Sequence, residues 1–400
     1  MDAPSVSPMP DAERFARLRL TLTPGLGPVL IARALEYFGS ASAACGASPA
    51  EFEQLDRVGP AKAAIIAAGL KASEQIAADE LAAVRRAGVT LTFKGDADYP
   101  PLLSELPDAP PMLYVLGSPE WAGADRFPVA IVGSRDCTHY GQEQARRFAG
   151  SFAQAGLCVV SGGARGVDSA AHHGALVGGG RTIAVLGCGL NHLYPPENKE
   201  LFGRILDHGA VVSELPMATP PSHENFPARN RIISGLSLGV LVVEAGERSG
   251  ALITAKVAAE DHGRDVFAVP GRVDSPASRG TLNLLKVGGA AIATEPADVI
   301  AAVEAAAHHL YRGTHAERFP AVEARPMLFE PPPSLPKERS PALNPTQSAI
   351  LETLHEPSSV DAVCETTGLP IARVRTELTL LEIQGRVRRH GSKFIINSKL

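Results

Sequence analysis

The chain has 400 residues and a formal net charge of −5, from 38 Lys and Arg against 43 Asp and Glu. Hydrophobic residues make up 45% and charged residues 20%, which excludes wholesale disorder, and at about 150 residues per domain the length suggests two or three domains. The slight acidity excludes a global attraction to nucleic acid or anionic membrane, so a polyanionic partner requires a local basic patch.

In chain order, Met1-Asp2-Ala3-Pro4 has no basic segment leading into an apolar one, so no secretory signal is expected. No apolar run approaches the ~18 residues of a membrane-spanning helix. Residues 1–88 read as a small helical domain. Asp11 is placed to cap a helix whose apolar positions Phe15, Leu18 and Leu22 recur at helical spacing. Pro24-Gly25-Leu26-Gly27-Pro28 separates it from a second periodic stretch ending near Phe38. A weaker echo, Val58-Gly59-Pro60-Ala61-Lys62, opens another helix. Helix, PGxG, helix is similar to the helix-hairpin-helix class, whose glycine amides can approach a phosphate. A tight turn in a small bundle explains the same pattern.

Residues 89–310 form the second expected domain. Short β-branched runs alternate with helical stretches from about residue 110: Val129–Val132, Leu157–Val160, Thr182–Leu186, Ala210–Val212, Gly239–Val243, Asp265–Val269 and Ala290–Ile292. Strands that are apolar on both faces and alternate with helices imply an α/β domain, a doubly wound, Rossmann-like parallel sheet. Met112–Leu116 is expected to add an edge strand. Residues 311–345 carry eight prolines from Pro320 to Pro345 and read as a stiff linker. Residues 346–400 read as three helices, about Thr346–Leu354, Ser359–Thr367 and Ile371–Gln384. A hairpin around Gly391-Ser392 follows, which is the winged-helix pattern. Arg373 and Arg375 lead the helix that would face a major groove, and Arg388, Arg389 and Lys393 line the wing. Duplex contact and protein docking are equally open for this module.

In an open α/β sheet, ligands bind beyond the carboxyl ends of the strands. The segments found there are Gly133-Ser134-Arg135, Ser161-Gly162-Gly163-Ala164-Arg165-Gly166-Val167-Asp168, Gly187-Cys188-Gly189, Gly246 to Ser249-Gly250, and Pro270-Gly271. Glycines allow close backbone approach, and helix N-termini offer free N–H groups to anions. Arg135 and Arg165 would sit side by side if their strands are neighbours. Phe226-Pro227-Ala228-Arg229-Asn230-Arg231 adds a ring to stack on a base, guanidiniums for phosphate and an amide for a base edge. Arg229 and Arg231 fall on different helix faces, so one of them is open to a structural role such as pairing with Glu244. Asp168 reads as a cap or as an orienter of a cation.

No catalytic residue, metal site or cofactor is expected. GxGxxG is absent after the first strand, and there is no P-loop. Gly235-Leu236-Ser237-Leu238-Gly239 matches GxSxG but precedes a strand, so the nucleophile-elbow context fails. His172, His173 and His223 lack metal-ligand spacing. Cys45, Cys137, Cys158, Cys188 and Cys364 contain no CxxC pair, which predicts reduced thiols and a cytoplasmic setting.

Across residues 95–300 these segments resemble the DprA (Smf) family of DNA-processing proteins. The resemblance runs through Tyr99-Pro100, Ala130 to Arg135, Ser161 to Asp168, Thr182 to Gly187, Tyr194-Pro195, Ser213-Glu214, Phe226 to Ile233, Ser249 to Ala255 and Val269-Pro270-Gly271. It implies a non-enzymatic single-stranded DNA binder that protects incoming DNA and loads the recombinase RecA in natural transformation. It also implies a homodimer formed through the Rossmann-like domain. The family's basic pocket maps onto Gly133-Ser134-Arg135, the loop of Arg165 and Phe226 to Arg231. Gly163 and Arg165 depart mildly, standing where the family often has Leu and Lys. Two rivals remain. One is a nucleotide phosphoribohydrolase on a related sheet, although Gly246 to Thr254 lacks the PGGxGTxxE loop. The other is a transcription regulator acting through residues 346–400.

Overall fold

The computed structural model describes residues 9–311, 344–355, 358–383, 386–390 and 393–396. The expected linker, apart from its ends, lies outside them, as do the side chains of Arg389 and Lys393. The chain divides into two compact units, Met1–Pro320 and Ala321–Leu400.

The first unit opens with helices α1 (Asp11–Thr21), α2 (Pro28–Phe38), α3 (Ala41–Gly46), α4 (Pro49–Phe52) and α5 (Pro60–Arg86). Leu20, Ile31, Phe52 and Ile66 are buried among them. Gly27 and Gly59 are the extended caps of α2 and α5, and Pro28 and Pro60 take the first helical position, where no N–H is needed. The cap of α1 is Pro10 and not Asp11 as expected. The Pro10 carbonyl accepts from the N–H groups of Glu13 and Arg14, both at 3.0 Å. Asp11 instead sits in the first turn, where its charge suits the positive end of the helix dipole.

A nine-stranded sheet follows: β1 (Thr90–Phe93), β2 (Met112–Gly117), β3 (Pro128–Val132), β4 (Cys158–Ser161), β5 (Thr182–Val185), β6 (Gly209–Ser213), β7 (Gly239–Val242), β8 (Asp265–Ala268) and β9 (Ala291–Ile292). Its spatial order is β1-β2-β6-β5-β4-β3-β7-β8-β9. Strands β3 to β9 run parallel, whereas β1 and β2 pair antiparallel. Met112–Gly117 is therefore not the edge strand that was expected. The short segment Thr90–Phe93, with Thr and Phe facing a partner, pairs outside it.

The remaining helices of this unit are α6 (Pro101–Ser104), α7 (His139–Gln154), α8 (Val167–Val177), α9 (Lys199–Asp207), α10 (Asn225–Gly235), α11 (Gly250–Glu260), α12 (Arg279–Lys286) and α13 (Pro296–Tyr311). Side chains alternate across the sheet. Val129 and Ile131 enter the core that holds Phe148 and Phe152 of α7 and Ala171 of α8. Ala130 and Val132 enter the opposite core, with Ile232 of α10 and Ala255 of α11. Both faces are thus covered, which explains why these strands read as uninterrupted apolar runs. From β3 the chain winds outward through β4, β5 and β6. It then returns to the other side of β3 for β7 and β8. The order reverses between β3 and β7, and a crevice opens there beyond the carboxyl ends.

The second unit holds helices Pro345–Glu352, Val360–Thr367 and Ile371–Ile383 and strands β10 (Ser358–Ser359), β11 (Val387–His390) and β12 (Lys393–Ile396). Ile350, Val363, Val374, Leu378, Val387 and Phe394 form its core. The three-stranded order β10-β12-β11 completes a winged helix, and β11 and β12 flank Gly391-Ser392, which lie outside the described residues. Arg373, Arg375 and Arg388 are exposed. Among the described residues no helix is long and apolar enough to cross a membrane.

Candidate nucleic-acid interface

Two loops and two helix starts converge at the crevice. Gly133-Ser134-Arg135 leaves β3, and Ala164 to Asp168 leads from β4 into α8. Ser249-Gly250-Ala251 opens α11, and Phe226, Arg229 and Asn230 come from α10. Together, Arg165, Gly166 and Val167 excepted, they line an open cleft of about 360 Å³. The loops after β3 and β4 lie backbone to backbone: Val167 N–H donates to the Ser134 carbonyl at 3.2 Å, and Ser134 N–H donates to the Glu244 carbonyl at 2.7 Å. Gly166 makes this approach possible. Its φ is +73°, and an added Cβ would fall 2.4 Å from the Ser134 carbonyl oxygen. Arg135 and Arg165 accordingly border one smaller pocket beside the cleft.

Arg135 is exposed, and its guanidinium lies 4.3 Å from the Phe226 ring centroid. Among the described residues it makes no hydrogen bond or ion pair. Phe226 is half-buried. Tyr194 stacks near it with ring centroids 6.3 Å apart, and His223 meets its edge at 6.2 Å. The ring rests on bare backbone, since an added Cβ at Gly187 would lie 2.7 Å from Phe226 Cδ1. Ser249 caps α11 by accepting from Ala251 N–H, so this helix presents its positive end to the cleft. Thr254, one turn further, lines the cleft with a buried hydroxyl that has no hydrogen-bond partner.

The other arginines have different roles. Arg229 is buried, and its guanidinium donates to the carbonyls of Gly162, at 2.7 Å, and of Val185. Burial lowers its pKa to about 10, against the pull of neighbouring Asp168, so it stays cationic at neutral pH. Burial raises the Asp168 carboxyl, which the Arg229 charge and the Ala164 N–H partly offset. Arg229 braces the β4–α8 loop from beneath through the Gly162 carbonyl, and Asp168, in the first turn of α8, accepts from the Ala164 N–H at 3.3 Å. Asn230 links the same layer to α11, donating to the Gly250 carbonyl at 3.3 Å.

Arg231 does not line the cleft. It points to the opposite side of α10, where it pairs with Glu214 and donates to the Asp108 carbonyl at 2.6 Å. Neither arginine pairs with Glu244, whose carboxylate is buried and accepts from Thr138 N–H at 2.6 Å and Thr138 Oγ1 at 2.8 Å. Ser161 is buried with its hydroxyl on the Ile131 carbonyl, and Gly162 and Gly163 are buried with it. Arg165 reaches solvent but holds an exposed ion pair with Glu197. Ser237, of the GxSxG match, is buried and donates to the Ile233 carbonyl. Tyr194, His223, Ile253 and Thr254 were missing from the expected site. Tyr194 and His223 lie in turns with no periodic signal, and Thr254 reads as an ordinary helix residue. All five cysteines are free.

A family model described as DNA recombination-mediator protein A matches residues 90–304, and one described as DprA winged helix domain matches residues 331–393. Protein Smf of Synechocystis is 35% identical over 407 residues, covering 95% of this chain and 97% of its own length. Protein Smf of Escherichia coli is 41% identical over 288 residues, 72% of each chain. The X-ray structure of DprA from Streptococcus pneumoniae aligns at a TM-score of 0.60 and 34% identity, covering 74% of this chain and 98% of that one.

Proposed function

The chain belongs to the DNA recombination-mediator protein A family, whose relatives carry the names DprA and Smf, and from that premise we propose that it binds single-stranded DNA in the cleft between β3 and β7. One observation carries this reading: Arg135, exposed and without a polar partner among the described residues, lies on the face of Phe226 at the mouth of a cleft that also receives the N-terminus of α11. A cation, free amides and a π-face within one cleft are what a phosphate and its unstacked base require. A duplex keeps its bases stacked and cannot offer one to Phe226.

The binding step breaks no bond and is independent of base identity, so the chain acts as a binder and not as an enzyme. Ser134, Arg135, Gly250 and the amides beside them hold phosphate, with Arg165 joining once it leaves Glu197. Phe226 takes a base, and Asn230 and Arg229 keep the floor in place. We further propose that the bound strand is protected and handed to RecA during transformation, with two copies joined through the α/β unit in the cytoplasm. The family's description as a recombination mediator supports this. Competition of a thymidylate oligomer against duplex DNA of equal length tests the first claim. Single-strand preference supports it, and equal or stronger duplex binding refutes it. The phosphoribohydrolase alternative predicts base release from a nucleotide monophosphate, measurable in the same samples.

A further inference from the structure

A second groove runs beside the cleft, between α7, α8 and α9. Gln142, Arg146, Ser169, His173, Glu200 and Arg204 line it. Gly166, the residue that joins the loops of Arg135 and Arg165, also borders this groove, as does Glu197, the partner of Arg165. The groove therefore adjoins the loop that carries Arg165, which borders the smaller pocket shared with Arg135.

Its chemistry favours an anion. Arg146 is exposed and Arg204 half-buried, and among the described residues neither forms an ion pair with a carboxylate. Arg204 Nη1 lies 3.2 Å from His173 Nδ1, which makes the imidazole the acceptor. Burial and the charges of Arg204 and Arg146 push the His173 pKa down, so the ring is neutral at neutral pH. Two guanidiniums face one uncharged imidazole beside Gln142, the Ser169 hydroxyl is committed to the Ala164 carbonyl at 2.6 Å, and of the two carboxylates at the groove Glu197 is paired with Arg165. The only aromatic ring among its lining residues is the His173 imidazole, which accepts from Arg204, so the groove offers charge more than a stacking surface.

We propose that this groove continues the phosphate track, holding a backbone phosphate of the strand through Arg146 and Arg204 after it passes Arg165. The inference rests on the cleft being the single-strand site. The groove contributes position and charge without reading sequence. The groups facing His173 are Arg146 from α7, Arg204 and Glu200 from α9, and Glu197 from the turn before α9. A phosphate arriving between the two guanidiniums would raise the His173 pKa.

The test uses the full chain and thymidylate oligomers of two lengths. An oligomer of about six nucleotides fills the cleft alone, and one of about twenty spans cleft and groove. In Arg146→Gln/Arg204→Gln the short oligomer binds as to wild type. The long one weakens roughly tenfold, and its salt slope falls by about 1.4, or 0.7 for each lost phosphate contact. The His173 ring resonances shift toward the protonated form when the long oligomer binds wild type, and stay fixed with the short one. Unchanged long-oligomer affinity and slope would overturn the proposal, as would equal losses at both lengths. Arg146→Gln alone removes an exposed side chain that forms no hydrogen bond or ion pair among the described residues, so it keeps the test valid if the double variant unfolds. Failure of the cleft itself is read separately, from an Arg135→Ala variant that binds both lengths normally.

Discussion

Replacing Arg135 by Ala removes a guanidinium whose contact, among the described residues, is the Phe226 ring at 4.3 Å. The fold loses an exposed cation–π contact, about 0.5–1 kcal/mol. A phosphate loses a charge-assisted hydrogen bond, about 1.5–3 kcal/mol, so Kd should rise about 10- to 150-fold. The dependence of log K on log salt should flatten by about 0.7 for the one lost contact. Arg135→Lys keeps the charge and loses the planar fork, so it should fall between wild type and Ala. Fluorescence anisotropy with a labelled thymidylate oligomer at two salt concentrations reads both quantities, and thermal unfolding checks the fold. An Arg135→Ala protein that binds as wild type at both salts would refute the assignment of this arginine to phosphate.

Phe226→Leu keeps an apolar cover over Gly187 and removes the π-face, so affinity should drop by about 1–3 kcal/mol with the salt slope unchanged; a changed slope and intact affinity would contradict stacking. Arg229→Leu strips the Gly162 and Val185 carbonyls of their donor and leaves Asp168 buried without its cation. It should cost about 3–5 kcal/mol of stability in urea unfolding, and a native-like midpoint would show that this arginine is not structural. Gly166→Ala forces a side chain into positive φ against the Ser134 carbonyl, so stability should fall by more than about 1 kcal/mol and single-strand affinity with it. Burial lowers the His172 pKa from 6.5 to about 3. The unfolded chain therefore binds the proton first as pH falls below about 6.5. Stability should be full above that pH and drop by about 1.4 kcal/mol per unit below it, until pH approaches 3. His172→Asn should remove that share of the slope, and unfolding midpoints that decline identically in both proteins would contradict it.

The parallel strands were legible because each is buried on both faces and so reads as a short apolar run, as Val129–Val132 does. Their order was not, since pairing between β3 and β7, more than a hundred residues apart, leaves no local trace. β1 escaped for a related reason. Thr90–Phe93 is four residues long, and it gains strand character by pairing antiparallel with Met112 to Val115 of β2. The glycine-rich loops and the start of the Phe226–Arg231 run were legible as candidates because backbone approach and stacking need those residue types, and the fold brings Gly133 to Arg135, Phe226 and Ser249-Gly250 to one cleft. The division of labour among the arginines was hidden. Arg229 and Arg231 stand two apart on α10, and only the packed sheet decides which meets the Gly162 carbonyl and which meets Glu214. Glu197, 32 residues from Arg165, became its partner through the fold alone. The global charge of −5 is likewise a poor guide to binding. Residues 130–300 carry 15 Lys and Arg against 16 Asp and Glu, so the proposed binding rests on where Arg135 stands and not on that balance.

The central claim is that a base of single-stranded DNA lies against Phe226 with its phosphate at Arg135. Photocrosslinking a 5-iodouracil oligomer to the full chain, followed by mass spectrometry of the adduct, addresses it directly. The account predicts an adduct on Phe226 or its neighbour Tyr194, one that Arg135→Ala weakens and excess duplex does not compete away. Adducts confined to residues 346–400, or to a surface away from the cleft between β3 and β7, would contradict it.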